Sequence, residues 1–470
     1  MDTALSIDVP GIVLNDGMFF FLVNTFIAYN IKIILDNNKN DILKKVRSLC
    51  GWYQDSFPGS QPVSLNRQKL ESCIGRNLYV ACEKTDGIRL LLYAASKRVF
   101  LIDRNQQVNM IMMTLPSSYW DTVFDVKSKR INAENCEFQK EKSDEINELL
   151  NLDPRNEDHT QFFQQNTLLD GELVKDLVEI GNEKKYVLRY LIYDCISIER
   201  DDTIKTLPLL ERLKYGYNKV ISPKTKYDNN RRKLLCDEIP PFEIFLKDFF
   251  EVDEVPAILS FSKRLPHPSD GIIFTPVTLP YIPGTCTKLL KWKPPHLNTA
   301  DFAAAFHSEK ESCESKIYLE LLVSIRGVRA SVDCFCVPTG EMFEKLVEQY
   351  RSYRISGQII ECYYDENAVY SKPRKANDGT ILWNQPPITM HGGWIVERVR
   401  TDKNSPNDIR TVNKVFESIR DGIDSELLIK TINLYKRSGK KFVLNYCNVP
   451  DHVRNSREKY DGEKKQKLDK

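Results

Sequence analysis

The fold is decided by the stretch EKTDGIR at residues 83–89, which joins two short apolar runs that predict β-strands. One interpretation is a β-hairpin that turns at Asp86-Gly87, because Asp-Gly is a common hairpin dipeptide. The other interpretation is chemical, with Lys84 as a nucleophile beside Arg89. Free lysine has a pKa of about 10.4, so an attacking amine near neutral pH needs cationic neighbours or burial. This motif alone leaves both interpretations open.

Short runs of alternating apolar residues predict strands on both sides of this motif. Before Pro294-Pro295 they fall at 79–83, 88–94, 99–103, 167–174, 187–194, 271–275 and 288–293, after a helix at 36–52. A second β unit then follows, with strands at 317–325, 328–337, 359–364 and 394–399, a turn at Arg326-Gly327 and a helix at 408–437. The pattern predicts an α+β body followed by a small β-barrel.

The composition is that of a globular protein with room for two or three domains. The chain has 470 residues, of which 41% are hydrophobic and 28% charged, and this excludes a fibre or a wholly disordered chain. Its formal net charge of +2 excludes a general polyanion binder, so any contact with nucleic acid must come from local patches. The 12 cysteines lack zinc-type spacing and predict free thiols of a cytosolic or nuclear protein.

Several segments stand apart from this pattern. Residues 18–35 are apolar but fall short of the ~20 apolar residues of a membrane-spanning helix, so we expect no membrane partner. They are either a buried element or a stretch foreign to the functional protein. No signal peptide is expected, because Met1-Asp2 carries no basic region. Residues 126–166 predict an exposed insertion, 365–392 a long loop, and 438–470 a mobile basic tail.

Four further motifs place charged side chains at the ends of predicted strands. They are LDGELV (169–174), SDGIIF (269–274), LLKWKP (289–294) and RVRTDK (398–403). Glu172 follows a predicted turn and Asp270 opens a strand, while Lys291 and Lys293 alternate and so face one side of a strand. Two like charges side by side on a strand are unfavourable without a counter-anion. Together the motifs suit a nucleoside triphosphate and a divalent metal, although each alone also fits a solvated strand end.

The ordered set of motifs resembles the GTP:RNA guanylyltransferases of mRNA capping, which share the covalent nucleotidyltransferase superfamily with polynucleotide ligases. The set is KTDGIR, LDGELV, YLIYD, SDGIIF, LLKWKP and RVRTDK, preceded by FPGSQPVS at 57–64, a stretch that ligases lack. The resemblance covers residues 40–430. It implies a ligase-type, ATP-grasp-like nucleotidyltransferase domain of antiparallel sheets and helices at 1–300. An OB-fold β-barrel at 301–425 and a C-terminal helix with a basic tail at 426–470 would follow.

The resemblance implies a covalent mechanism centred on one lysine. Lys84 would attack the α-phosphorus of GTP and form a lysyl-N–GMP phosphoramidate. Thr85 and Arg89 would hold the ribose hydroxyls, and Glu172 would contact the ribose or the metal.

The resemblance also implies how the base, the metal and the α-phosphate are bound. Tyr193 occupies the position of a family phenylalanine that stacks on guanine, although a plain core aromatic is an equal alternative. Lys247 occupies the position of a lysine that reads guanine O6. Asp270 would bind Mg²⁺ or Mn²⁺, and Lys291 and Lys293 would neutralise the α-phosphate.

The second domain is expected to hold the leaving group. Arg400, Asp402 and Lys403 fall on the motif that grips the β- and γ-phosphates of GTP. In-line displacement requires pyrophosphate opposite the nucleophile, and a separate domain can deliver cations there. Arg398 either shares this site or is a surface cation. Asp301 resembles an aspartate of the family to which we assign no role from the sequence.

The implied activity is mRNA guanylylation in two steps, from GTP to the lysine and from the lysine to the 5′-diphosphate end of RNA. The implied location is the nucleus, with the phosphorylated C-terminal tail of RNA polymerase II as a partner. The sequence contains no Cys-x5-Arg phosphatase loop and no Glu-x-Glu strand pair, so a separate polypeptide is expected to supply the RNA 5′-triphosphatase.

Two alternatives from other classes stay open at this point. An ATP-dependent polynucleotide ligase shares the lysine motif and would be labelled by ATP rather than GTP. A catalytically inactive scaffold that binds RNA or polymerase would keep the fold without forming a covalent adduct.

Overall fold

The computed structural model describes residues 31–33, 36–95, 98–133, 146, 148–152, 157–180, 183–235, 241–309, 316–376, 378–401 and 403–436. These residues divide into two units. The first comprises 31–292 and 426–436, and the second is Lys293–Ser425. The predictions for the tail 438–470, and for 18–35 apart from a strand at Ile31–Ile33, fall outside the described residues.

The first unit contains two largely antiparallel β-sheets. Its strands are β1 (Ile31–Ile33), β2 (Gln61–Ser64), β3 (Tyr79–Thr85), β4 (Ile88–Ala95), β5 (Arg98–Ile102), β6 (Val108–Ile111), β7 (Thr167–Ile180), β8 (Glu183–Ser197), β9 (Glu243–Leu246), β10 (Phe250–Glu251), β11 (Ser269–Pro276) and β12 (Thr285–Trp292). A seven-stranded sheet has the order β1-β6-β5-β4-β7-β8-β9. A five-stranded sheet has the order β10-β3-β11-β12-β2. Among the described strands of this unit, only β8–β9 and β12–β2 pair in parallel.

The two sheets meet at the stretch EKTDGIR, residues 83–89. β3 pairs with β10 and β11, whereas β4 pairs with β5 and β7 in the other sheet. The hairpin interpretation is therefore wrong, and Asp86-Gly87 instead carries the chain from one sheet into the other. An Asp-Gly pair is only a local preference, and the distant partner strands of β3 and β4 override it. The turn predicted at LDGELV is also wrong, because this motif lies inside β7.

Helices cover the sheets and connect their strands. They are α1 (Asp36–Cys50), α2 (Ser118–Ala133), α3 (Leu209–Gly216), α4 (Ser222–Leu235), α5 (Val255–Ser262), α6 (Glu341–Tyr353), α7 (Ile409–Asp421) and α8 (Ser425–Lys436). The predicted helix at 36–52 is thus confirmed as α1. It packs Leu43, Val46 and Leu49 against the seven-stranded sheet, and each buried side chain contributes about 1.5–3 kcal/mol. Within the described residues, no helix is long and apolar enough to span a membrane.

The predicted exposed insertion at 126–166 is in part hydrophobic core. Leu149 and Leu150 are buried, and they pack with Trp120, Phe124 and Tyr227 of α2 and α4. The Trp120 indole donates a hydrogen bond to the Leu149 carbonyl at 3.3 Å. The prediction was wrong at this point because two leucines in a strongly charged stretch have little weight in an average of composition.

The second unit is built on one five-stranded antiparallel sheet. Its strands are β13 (Thr299–Ser308), β14 (Ile317–Ile325), β15 (Val328–Ala330), β16 (Ile359–Lys372) and β17 (Ile388–Val399), in the order β15-β14-β13-β16-β17. Phe335 bridges to Glu320 of β14, and Cys336 bridges to Trp394 of β17. The predicted barrel falls on this sheet, but the described residues form an open strand order and no closed barrel. Among the described residues, isolated bridges rather than a continuous strand ladder link its two sides. The mixed α+β prediction is confirmed.

Three boundaries in the second unit differ from the sequence prediction. The predicted loop at 365–392 is strand at both ends, because β16 runs to Lys372 and β17 begins at Ile388, and only 373–387 lies between the two strands. The predicted strand at 328–337 ends at Ala330. The predicted helix at 408–437 is two helices, separated where Gly422 adopts a φ of +56° that ends α7 in the left-handed conformation.

Candidate active site

Lys84 lies at the end of β3, one residue before the chain leaves the five-stranded sheet. The connection to β4 is tight at Gly87, where an added Cβ would lie 2.7 Å from the Leu173 carbonyl oxygen. Only glycine fits this close approach between the two sheets. The crossing therefore fixes the lysine at the junction of both sheets.

Asp270 is aimed at Lys84 by an irregularity in strand pairing. Ser269 of β11 pairs with Thr85 and Ile272 pairs with Glu83, so two residues of β11 lie opposite the single residue Lys84. Such a β-bulge redirects side chains and is common beside active sites. The Asp270 carboxylate accepts a hydrogen bond from Lys84 Nζ at 2.6 Å. Each of these two side chains is about one-fifth exposed, at 22% for Lys84 and 21% for Asp270.

A cavity beside Lys84 gathers most of the predicted nucleotide-binding residues of the first domain. Its lining includes Lys84, Thr85, Arg89, Glu172, Tyr193 and Lys247. Asp270 and Lys291 are not among the lining residues. Lys291 lies on β12, opposite Ile273 of β11 and Ser64 of β2. Three motifs that are distant in sequence, KTDGIR, LDGELV and YLIYD, thus place their predicted binding residues around one cavity.

Arg89 is held by a buried carboxylate that the sequence analysis did not single out. Its Nε and Nη2 donate to the two oxygens of Asp170 at 3.1 and 2.6 Å. The Tyr281 hydroxyl donates to the same carboxylate at 2.6 Å. The guanidinium also lies 5.5 Å from the ring centres of Phe57 and Tyr193. Burial opposes the charge, but the attraction of Asp170 raises the pKa of Arg89, which stays a fixed cation in the cavity wall.

Lys247 and Thr85 form a second buried polar group with Glu83. The Lys247 ammonium lies 3.1 Å from a Glu83 oxygen and donates a hydrogen bond to the Thr85 hydroxyl. Burial lowers the pKa of Lys247, yet the nearby Glu83 carboxylate outweighs it and raises the pKa overall. Lys247, which is predicted to read guanine O6, is therefore charged and fixed at the cavity wall, where its ammonium can donate hydrogen bonds.

Glu172 and Tyr193 come from adjacent strands of the seven-stranded sheet. Glu172 of β7 lies opposite Arg89 of β4, and Tyr193 belongs to β8. Burial raises the pKa of the Glu172 carboxyl, although Lys247 and Lys84 oppose that shift. The Tyr193 hydroxyl is also buried, and this raises its pKa well above the ordinary value. The tyrosine thus presents a neutral aromatic ring to the cavity.

The phosphate motif of the second unit is organised by two acidic residues. Asp301 is buried and pairs with Arg400 at 3.2 Å and also with Lys403. Glu361 pairs with Arg398 at 2.6 Å and with Arg400 at 3.4 Å. Asp301, which had no role from the sequence, thus joins the two cations predicted to grip phosphates.

Asp402 lies outside the described residues. Lys293 is the first residue of the second unit. Burial and the Glu361 carboxylate raise the pKa of Glu397, and the positive charge of Lys293 opposes this shift.

Two family models match the chain. The model for the mRNA capping enzyme catalytic domain matches residues 29–127 and 138–295, which is more than half of the chain. The model for the mRNA capping enzyme C-terminal domain matches residues 297–429.

The chain belongs to the mRNA capping enzyme family.

Named relatives agree with this capping-enzyme assignment. The chain is 29% identical to the mRNA-capping enzyme subunit alpha of Schizosaccharomyces pombe over 404 residues, which are 84% of each protein. It is 28% identical to the Neurospora crassa subunit alpha, over 84% of this chain and 89% of that protein. It is 26% identical to the mouse mRNA-capping enzyme, over 84% of this chain and 52% of that protein. A mycobacterial DNA ligase D solved with ATP aligns at 12% identity and a TM-score of 0.30, over 75% of this chain and 97% of that chain. The family assignment rests on the sequence matches.

This capping-family chain offers few protein ligands for a metal ion. Among the described residues, no group of three or more histidine, cysteine or acidic side chains is placed to hold one. Asp270 and Glu172 are the acidic residues predicted for this task, and both supply hard carboxylate oxygens. Mg²⁺ is usually bound through one or two carboxylates, with water and phosphate oxygens as its other ligands. The residues present therefore fit Mg²⁺ or Mn²⁺ bound together with a nucleotide.

Among the cavity-lining side chains that sequence reasoning did not single out in this capping-family chain are Asp170, Tyr281 and Arg104. Asp170 belongs to the LDGELV motif, but only Glu172 of this motif was predicted to be functional. Arg104 is an exposed cation just after β5, and a strand followed by an arginine was its only signal. Tyr281 lies outside every motif, and nothing in the sequence pointed to it.

Proposed function

We propose that this protein is an mRNA guanylyltransferase, which transfers GMP from GTP to the 5′-diphosphate end of RNA through Lys84. The observation that carries the proposal is the position of Lys84, at the wall of a cavity lined by Arg89, Glu172 and Lys247, with Asp270 in hydrogen-bond contact. Membership of the capping enzyme family supports RNA as the acceptor, and it does not favour a polynucleotide ligase.

In the first step, Lys84 Nζ attacks the α-phosphorus of GTP. A P–N bond forms, the bond between the α-phosphorus and the bridging oxygen breaks, and pyrophosphate leaves. The Lys84 ammonium must first give one proton to solvent water, and this ends its ion pair with Asp270. Thr85 and Arg89 would hold the ribose, while Tyr193 and Lys247 would hold the base. Both ribose contacts start from defined positions, because Asp170 fixes Arg89 and Lys247 bonds to Thr85.

Cations would carry the growing negative charge on the phosphates during this step. Lys291 and Lys293 are proposed to neutralise the α-phosphate. Arg400, Asp402 and Lys403 are proposed to orient the β- and γ-phosphates for in-line departure. Mg²⁺ or Mn²⁺ held by Asp270 and Glu172 would polarise the phosphoryl oxygens when bound.

In the second step, a β-phosphate oxygen of the RNA end attacks the phosphorus of the lysyl-GMP. The P–N bond breaks, the lysine nitrogen regains a proton, and the GpppRNA cap is released. A protonated amine is a good leaving group, so the covalent intermediate stores GMP without trapping it.

The proposed partners follow from the reaction. A separate RNA 5′-triphosphatase would supply the diphosphate end, and the phosphorylated tail of RNA polymerase II would recruit the enzyme to nascent RNA in the nucleus. We assign nucleotide chemistry to residues 1–300, leaving-group binding to 301–425, and no catalytic role to 426–470.

Labelling with α-phosphate-labelled GTP in the presence of Mg²⁺ tests this proposal. The wild-type chain should form an adduct that survives denaturing electrophoresis, and Lys84→Ala should form none. Lys288→Ala is the matched control, since Lys288 is an exposed lysine on β12, and it should label normally. Mapping should place the adduct on the Lys84 peptide. Labelling by ATP alone, or retention of label by Lys84→Ala, would overturn the assignment.

A further inference from the structure

The second unit carries an exposed cluster of arginines that the proposed chemistry does not use. Arg326 lies at the tip of the β14–β15 hairpin, and Arg329 follows on β15. Arg351, Tyr353 and Arg354 lie at the C-terminal end of α6 and just after it, in a run that is exposed throughout. Tyr353 is 76% exposed. We refer to these five residues as the arginine edge.

Hydrogen bonds from the Arg329 side chain connect the β14–β15 hairpin to the segment after α6 and to the phosphate motif. Arg329 Nη1 donates to the Gly357 carbonyl at 2.9 Å, and Nη2 donates to the Asn404 carbonyl at 3.1 Å. Gly357 in turn donates to the Ala304 carbonyl of β13 at 2.7 Å. Asn404 directly follows Lys403, one of the predicted phosphate-binding cations. Arg329 thus joins the hairpin, the segment after α6 and the phosphate motif within one unit.

The charges of the arginine edge are not balanced by neighbouring acids. Within the part of the chain that the structure describes, the ion pairs of this unit join other cations to carboxylates and none includes Arg326, Arg351 or Arg354. The nearest acid in sequence is Glu348, one helical turn before Arg351 and exposed. By contrast, Arg410 of the same unit pairs with Asp408 at 2.8 Å. In a chain with a net charge of only +2, this local excess of cations is the kind of patch that contacts a polyanion.

Backbone conformation gives a second, independent reason to assign a function to two of these arginines. Arg326 has a φ of +52° and Arg354 has a φ of +53°. These are left-handed positions, at a hairpin turn and a helix C-terminus, which glycine or asparagine adopts with less strain. An arginine at each of these positions is less stable than a glycine would be, but it adds a positive charge. Departures from local preference of this kind concentrate at functional sites.

Aromatic rings next to the cations identify the ligand class. The Arg354 guanidinium lies 5.2 Å from the centre of the Tyr350 ring, and Tyr350 stacks on Phe306 at 4.6 Å and 15°. This packing restrains Arg354, while the ring of Tyr353 stays open to solvent. Guanidinium groups bind phosphates, and an exposed ring beside them can stack on an unpaired base. That combination matches single-stranded RNA better than a phosphopeptide, which offers no bases.

We propose that the arginine edge binds the single-stranded RNA that follows the 5′-diphosphate end of the acceptor. The inference rests on the proposed guanylyltransferase function and adds an acceptor-binding surface to it. The edge would act on the second step alone, because none of its residues is among those proposed to bind GTP. It would make long RNA a better acceptor than a dinucleotide carrying the same diphosphate.

The test separates the two steps of the reaction in the full-length protein. The variant Arg326→Ala/Arg351→Ala/Arg354→Ala should form the enzyme–GMP adduct at the wild-type rate. With preformed adduct, its KM for a 5′-diphosphate RNA of about 16 nucleotides should rise about tenfold, while transfer to a 5′-diphosphate dinucleotide should not change. The dependence of RNA affinity on salt should weaken by about 2 in log–log slope, from three lost phosphate contacts. Tyr353→Ala should weaken binding without changing this slope.

Matched controls exclude a general effect of charge. Lys345, Arg410 and Arg420 are exposed cations elsewhere in the second unit, and their joint replacement by alanine removes the same charge. That control should leave the KM for the long RNA unchanged. Equal loss in the control and the edge variant would overturn the proposal.

A second variant separates RNA binding from structure. Arg326→Gly/Arg354→Gly relieves both positive φ angles, so it should raise the melting temperature while it weakens RNA binding. A purely structural role, in which Arg354 supports the end of α6, predicts that stability falls instead.

The remaining outcomes are equally distinct. No adduct in the wild-type protein would refute the guanylyltransferase function itself. A normal adduct with unchanged KM for long RNA in the triple variant would refute only the arginine edge. Unchanged RNA binding with lost binding of a phosphoserine peptide would assign the edge to a protein partner and overturn our proposal.

Discussion

Replacing Asp170 by asparagine tests how the wall of the nucleotide cavity is held together. Asp170 is fully buried, and it accepts two hydrogen bonds from Arg89 and one from Tyr281. Asparagine keeps the size of the side chain but removes its negative charge. The Arg89 guanidinium, 5% exposed, would then be a buried cation without its counter-ion.

The structure sets the size of the expected effect. Removing one partner of a buried ion pair costs about 3–5 kcal/mol, because the remaining charge loses its compensation. One kcal/mol shifts the melting temperature of a domain of this size class by about 2–4 °C, so Asp170→Asn should melt roughly 6–20 °C below wild type. The same variant should also lose labelling by GTP, since Arg89 lines the cavity.

Thermal unfolding followed by circular dichroism measures this shift. Asp202→Asn is the matched control, because Asp202 pairs with Lys205 but is 51% exposed, and its loss should cost under about 1 kcal/mol. Combining Arg89→Met with Asp170→Leu removes both charges, and it should recover much of the stability lost in Asp170→Asn. The reasoning fails if Asp170→Asn melts like wild type, or if the double variant is no more stable than the single one.

Three further predictions follow from single contacts. Burial raises the pKa of Glu320, but hydrogen bonds led by His307 hold it at about 2, so this carboxylate stabilises the protein above its unfolded pKa. Acid titration should therefore show a loss of about 3 kcal/mol as the pH falls from about 4.5 to 2, and Glu320→Gln should flatten that part of the curve. Gly422→Ala should lower the free energy of unfolding by about 1 kcal/mol in denaturant titrations, because alanine strains the φ of +56° between α7 and α8. Tyr193→Phe should label with GTP like wild type, whereas Tyr193→Ala should raise the GTP concentration needed for labelling, since only alanine removes the ring beside Arg89.

Local pattern was sufficient to predict where strands form, but not which strands pair. Alternation placed β3 and β4 on either side of EKTDGIR within two residues of their observed ends. The strands with which β3 and β4 pair could not be predicted from local pattern, since the contact between Lys84 and Asp270 joins residues 186 positions apart. A hairpin was the natural reading of Asp-Gly, and only the pairing of β3 with β11 excludes it.

The candidate site shows the same division. Residues inside motifs, such as Thr85 and Glu172, were named from the sequence, and the structure gathers them around one cavity. Tyr281 could not be found from the sequence because its hydroxyl acts through contacts with distant residues, donating to Asp170 111 positions away and accepting from the Ser60 amide. The order of motifs predicts the reacting groups, whereas the residues that position them are recognised only from the contacts in the folded sheets.

The burial of the ion pairs indicates which of the cavity cations can react. Arg89–Asp170 and Lys247–Glu83 are nearly inaccessible, with side-chain exposures of 5% and 0% and of 2% and 6%. Opening either pair would leave a charge in a poorly solvated wall, and that is costly. Lys84 and Asp270 are 22% and 21% exposed, so water can solvate both groups as they separate.

The cavity therefore combines fixed cations, which can orient a nucleotide, with one ion pair that opens at low cost. An amine that must lose a proton, form a bond to phosphorus and later leave again needs such a pair. By the same argument, exchanging Lys84 and Asp270 should preserve their charge balance and stability within about 1 kcal/mol, while abolishing adduct formation, because the nucleophile would then start from β11 instead of β3. Retention of the adduct in that exchange variant would show that the position of the amine at the end of β3 is not what the chemistry requires.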